Sequence, residues 1–128
     1  MLREISTAQA PVPVGPYSQA IIAGGLVFTA GQGPIDPRTG AVVGSTIEDQ
    51  TQQTITNLER ILAEAGAGLA DVAKVTVHLA DLADFAGFNE IYGARFRPPR
   101  PVRTTVGSAL MGILVEMDVI AVLEHEGR

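Results

Sequence analysis

Residues 114–122, Leu-Val-Glu-Met-Asp-Val-Ile-Ala-Val, constrain the fold more than any other segment. Val115, Met117, Val119 and Ala121 fall on one face of an extended chain, and Leu114, Glu116, Asp118, Ile120 and Val122 on the other. Both faces are largely apolar. A strand of this kind belongs inside a sheet that is covered twice, and a chain with only two helices can cover one side. The expected remedy is a homo-oligomer whose sheets bury each other. Glu116 stands out within this run, because a carboxylate among apolar neighbours is costly to bury unless something pairs or uses it. Arg103, in Pro101-Val102-Arg103-Thr104-Thr105-Val106, could pair it, or could hold an anionic ligand with a two-pronged hydrogen bond.

The rest of the chain supplies the other layers. Residues 8–16 contain three prolines and a glycine and read as irregular. Two apolar runs flank Gly24-Gly25, which predicts a hairpin, because glycine accepts the positive φ of a tight turn. Asp36-Pro37-Arg38-Thr39-Gly40 predicts a second turn. Ser45-Thr46-Ile47-Glu48 has capping-box spacing, with Ser45 as the cap. Ile47, Thr51, Ile55, Leu58, Ile61, Leu62 and Ala65 then recur at helical spacing up to Gly66. Val75, Val77 and Leu79 alternate with Lys74, Thr76 and His78, a strand with one polar face. Asp81 is placed as the cap of a second helix carrying Phe85, Phe88, Tyr92 and Phe96 on one stripe and ending at Pro98-Pro99. Strands over about 102–109 and 113–122 close the chain. The order β-β-α-β-α-β-β predicts an α+β sandwich, with two helices on one face of a mixed sheet and residues 1–128 forming one domain.

Composition narrows the function. The apolar fraction is 46% and the charged fraction 18%, as in ordinary globular chains. A net charge of −5 disfavours nucleic acid and anionic membrane as partners. No cysteine is present, which removes disulfides, thiolate nucleophiles and the usual structural zinc sites. No signal-like h-region and no apolar stretch near the ~20 residues of a membrane span occur, so a cytoplasmic location is expected.

Each candidate residue has two readings. Arg103 is a carboxylate or phosphate clamp, or a structural partner for Glu116 or Asp118. Glu116 is a general acid/base, or an ion-paired or interface carboxylate. Tyr17, where loop becomes strand, either points its phenol into a cleft or lies as a lid on the core. Gly31-Gln32-Gly33-Pro34 lacks the phosphate-loop pattern and reads as a turn, although backbone approach to a ligand is open to it. Arg95, Arg97, Arg100 and Arg103 are the best argument for RNA, against a helix end simply rich in arginine. His78 and His125 lack metal-ligand spacing, His78 reads as a surface histidine, and Ser18 and Ser108 have no histidine in any familiar triad motif.

Five segments taken together resemble the RidA (YjgF) family of reactive intermediate deaminases. They are Gly15-Pro16-Tyr17-Ser18-Gln19-Ala20, Thr29-Ala30-Gly31-Gln32, Phe88-Asn89-Glu90-Ile91-Tyr92, Pro101-Val102-Arg103-Thr104-Thr105-Val106 and Val115-Glu116-Met117. The resemblance implies a chorismate-mutase-like fold and a homotrimer whose sheets line a central barrel, with clefts between subunits. It implies hydrolysis of 2-imino acids derived from 2-aminoacrylate and related enamines, giving 2-keto acids and ammonia, with no metal or organic cofactor. By position, Arg103 is similar to the arginine that grips the substrate carboxylate, and Glu116 to the acid that handles water and protons. Tyr17 is similar to the cleft tyrosine of the adjoining subunit, and Gly31, Asn89 and Thr105 to substrate-binding positions. Some relatives have been described as ribonucleases or translation inhibitors. This chain departs from the pattern in three ways. Ala30 replaces a frequent serine, and Thr105 stands where a subset carries a reactive cysteine. The connection 107–113 is about two residues short, which bears on substrate range. The rival readings are a non-catalytic sensor of 2-keto or amino acids and an RNA-acting protein.

Overall fold

A computed structural model describes residues 1–123. Six strands form one mixed sheet: β1 (Arg3–Ile5), β2 (Ala20–Ala23), β3 (Leu26–Thr29), β4 (Val72–Leu79), β5 (Val102–Gly107) and β6 (Val115–Val122), in the order β1-β2-β3-β6-β4-β5. Only β4 and β5 run parallel, joined through helix α2 (Phe85–Arg95). Helix α1 (Ile47–Glu64) lies beside α2 and both cover the same face. The α+β sandwich expected from the pattern is therefore observed, with β1 added in front. Three residues at an edge are too short to show a two-residue period, which is why β1 left no mark in the sequence.

The core lies between helices and sheet. All seven apolar-stripe residues predicted for α1, from Ile47 to Ala65, are buried, and Gly66 leaves the helix at a left-handed φ of 87°. The cap is Thr46 rather than Ser45: its hydroxyl accepts from the Asp49 amide. Asp81 caps a short 3-10 turn, Leu82–Asp84, and α2 begins one turn later. Phe88, Tyr92 and Phe96 are buried as predicted, whereas Phe85, at the start of α2, remains 45% exposed. Gly24 and Gly25 take φ of 59° and 79° in the β2–β3 hairpin.

The other face of the sheet has no cover among the described residues. Register places Lys74, Thr76 and His78 of β4 beside Ile120, Asp118 and Glu116 of β6 on that face. Phe28 pairs with Ile120 there and is 40% exposed, and Val102 and Val106 of β5 are exposed as well. Apolar residues thus lie on both faces of β6 with only one face buried.

Candidate active site

A cavity of about 530 Å³ opens at the end of β6 near Glu116. It is built by a break in the sheet. Phe28 pairs with Ile120, and the next bridge joins Gln32 to Met117, so four steps along one strand oppose three along the other. The extra residue makes a bulge at Ala30-Gly31, beside Glu116. The Thr29 hydroxyl stands in for the missing ladder partner by accepting from the Val119 amide at 3.0 Å. Gly31 is required by contact rather than by its backbone angle. A Cβ there would lie 2.5 Å from Glu116 Oε2, so the carboxylate rests directly on the glycine backbone. Glu116 is in no hydrogen bond or ion pair among the described residues.

Tyr17 lines the same cavity. Its ring lies over Gly15, and its hydroxyl accepts from the Val14 amide at 3.2 Å, which leaves the phenolic hydrogen available. The proline-rich segment from Pro11 to Val14 forms one wall, and Gly33, Ile35 and Ile113 line the rest.

Arg103 lies elsewhere. It pairs with Val75, whose other neighbour is Val119, and therefore sits on the helix-covered face, opposite to Glu116. Between β5 and β6 runs β4, a separation of about 10 Å across the sheet. The two charges read together from the sequence do not pair within one chain. The Arg103 guanidinium is instead held by rings: its carbon lies 4.7 Å from the Tyr92 centroid, 5.3 Å from Phe88 and 5.6 Å from Phe85. Such a cradle fixes the fork without occupying its N–H donors. On α2, which supplies these rings, two buried oxygens are without partners among the described residues, Asn89 Oδ1 and Tyr92 Oη. Burial pushes the Tyr92 phenol above its ordinary 10, and the nearby Arg103 and Arg100 charges offset only part of this. Thr105 shares the Arg103 face of β5.

The candidate residues thus fall into two separate groups: Glu116, Tyr17 and Gly31 at the cavity, and Arg103, Asn89 and Thr105 on α2 and the helix-covered face of β5. Comparison with known proteins gives this division a context. A family model described as Endoribonuclease L-PSP matches residues 7–123. A RutC family protein of Pyrococcus abyssi is 50% identical over 94% of this chain and 96% of its own length. Reactive Intermediate Deaminase A, chloroplastic, of Arabidopsis thaliana is 45% identical over 93% of this chain and 65% of its own. The chain belongs to the RidA (YjgF) family. Among solved structures, Escherichia coli TdcF with bound serine superposes with a TM-score of 0.87 at 35% identity, covering 95% of this chain and 99% of that one.

In this RidA-family chain three buried amides hold the cavity walls, and sequence reasoning passed over all of them as site-forming residues. Gln19 receives the Thr7 amide on Oε1 and donates to the carbonyls of Thr7, Ala10 and Pro11, pinning the proline-rich wall. Asn57 donates to the carbonyls of Gly33 and Ile35 at 3.0 and 2.9 Å. Gln50 donates to Gly44 and accepts from the Leu114 amide, anchoring the short 107–113 connection just before β6. Their one signal was an amide at a helical position facing the core, as Gln50 and Asn57 do on α1.

His78, read as a surface histidine, is half-buried with Nδ1 2.7 Å from Ser108 Oγ, a pairing that no sequence motif announces. No carboxylate bonds to that ring among the described residues, so no triad forms. Ser18 donates to Glu4. His125 lies outside the described residues. Among the described residues no group of three His, Cys, Asp or Glu could hold a metal, and no helix is long and apolar enough to cross a membrane. The arginine run is not one surface stripe: Arg95 is engaged by Gln52, Thr56 and Glu59, Arg100 donates to the Phe96 and Gly93 carbonyls, and Arg103 is cradled by rings.

Proposed function

We propose that the protein hydrolyses reactive 2-imino acids, the tautomers of 2-enamino acids such as 2-aminoacrylate, at a site assembled from two subunits. The observation carrying this reading is a carboxylate in a cavity and a ring-held guanidinium on another surface of the same chain, neither with a hydrogen-bond or ion-pair partner among the described residues. Each is half of what the reaction needs. In a homotrimer the open sheet faces would turn inward as a barrel, and the β5 edge of one subunit would close the cavity of the next.

The chemistry asks little of the protein. A protonated imine, R–C(=NH2⁺)–COO⁻, is already electrophilic, and water converts it to R–CO–COO⁻ and NH4⁺. Arg103 grips the carboxylate bidentately and so orients the imino carbon, with Asn89 and Thr105 beside it. Glu116 takes a proton from the attacking water and returns one to the departing amine. The Tyr17 phenol, aimed by its bond from the Val14 amide, donates to the developing oxygen. None of these steps uses a metal or organic cofactor. A cytoplasmic setting, where such imines arise, fits this reading.

The test generates 2-iminopropionate in situ and follows release of pyruvate and ammonia above the spontaneous rate. Acceleration by the wild-type protein that is lost in Arg103→Ala supports the reading. Binding of serine or pyruvate without acceleration of any imine would replace it with a sensor, a reading favoured by the serine bound to TdcF. Cleavage of RNA dependent on Glu116 would point instead to the activity named in the matching family description.

A further inference from the structure

The cavity holding Glu116 is, in the single chain and before a neighbouring subunit closes it, larger than a three-carbon substrate needs, and its lining is mostly apolar. Its volume is about 530 Å³, in the range that encloses whole drug-sized ligands. Val12, Val14, Ile35 and Ile113 are among its lining residues. Ile113 packs against Gly33 in this lining: a Cβ on Gly33 would come within 2.9 Å of its Cδ1. Val12 and Val14 are 74% and 94% exposed, although they are apolar residues on a loop that Gln19 and Tyr17 hold in place. Rigidly displayed valines facing a cavity have a use when an apolar group enters it. The charged groups at the cavity have the same consequence. Glu116 and Asp36 are its acidic lining residues, and Asp36, held below its ordinary 3.8 chiefly by the Arg38 amide, is already paired with the Arg38 guanidinium at 3.5 Å. Among the described residues no Lys, Arg or His lines the cavity, so an acidic substituent would find no cation there to pair with.

We propose that this protein's preferred substrates are 2-imino acids with bulky apolar substituents, of the size derived from leucine or phenylalanine, and that Val14 and Ile113 set that preference. This rests on the imine-hydrolase reading above and narrows it. Burial of one methylene in a well-formed pocket is worth roughly tenfold in discrimination or more. The leucine-derived imine adds three carbons to 2-iminopropionate, and a preference of at least about tenfold in kcat/KM is expected.

The experiment generates imines from leucine, phenylalanine, alanine and glutamate with one amino-acid oxidase and catalase, and compares kcat/KM for 2-keto acid release above the spontaneous rate. The wild-type protein should rank leucine and phenylalanine first and glutamate last. Val14→Asp and Ile113→Ala should each lower the leucine-to-alanine ratio about tenfold. Val14 is almost fully exposed, so its variant tests the ratio without risk to folding. A wild-type ratio near one, or a ratio unmoved by both variants, overturns the proposal while leaving the hydrolase reading intact. Acceleration of none of the four imines overturns both.

Discussion

Gly31 and Glu116 form the smallest unit of the proposed site. The carboxylate lies where any Cβ at position 31 would stand, so Gly31→Ala must push it aside. Displacement of a reacting group by about 1 Å costs on the order of a hundredfold in rate. Gly31→Ala should therefore lower kcat/KM by ten- to a hundredfold while the melting temperature moves little, as measured by imine turnover and thermal unfolding on the same sample. Asp118, on the open face, gives a second residue-level expectation. Burial raises its carboxyl above the ordinary 3.8, and His78 and Lys74 lower it in part. The fold thus favours the protonated form. That contribution is fully present below 3.8 and is lost as pH rises through the higher folded value. Asp118→Asn should flatten the melting temperature across that interval and raise it above. Glu116 and Arg103 were legible at this scale because each is a charge in an apolar or extended run. Their separation was not, since which side of the sheet β5 presents depends on its register with β4.

Elements fix the site through their buried amides. Asn57 is fully buried on α1 and holds two carbonyls of the loop between Gly31 and Pro37. Replacing it with leucine keeps volume and orphans both acceptors, a cost of roughly 2–3 kcal/mol. Urea unfolding of Asn57→Leu should report this loss, and the loosened loop should depress turnover further than the stability change alone explains. The helix positions were readable because a 3.6-residue stripe survives single exceptions. The cap moved from Ser45 to Thr46, because either hydroxyl suits the spacing and only the backbone turn decides between them. The bulge at Ala30-Gly31 was hidden altogether: it is a mismatch between two strands far apart in sequence, and neither strand shows it alone.

At the scale of the whole molecule, the two-faced strand β6 argues for assembly. One face is buried under α1 and α2, and the other exposes Phe28 and Val122 beside Ile120. A closed symmetric trimer would bury that face and bring cavity and arginine together. Sedimentation should give a mass of about three chains, and Phe28→Glu should reduce it to one. The composite site is tested most directly by subunit mixing. Arg103→Ala and Glu116→Gln, each purified, folded and inactive, are unfolded together in equal amounts and refolded. If each site takes its arginine and its glutamate from different chains, random mixing restores about a quarter of wild-type turnover of 2-iminopropionate. Mixed assemblies that form and show no more activity than either variant alone would contradict the two-subunit site.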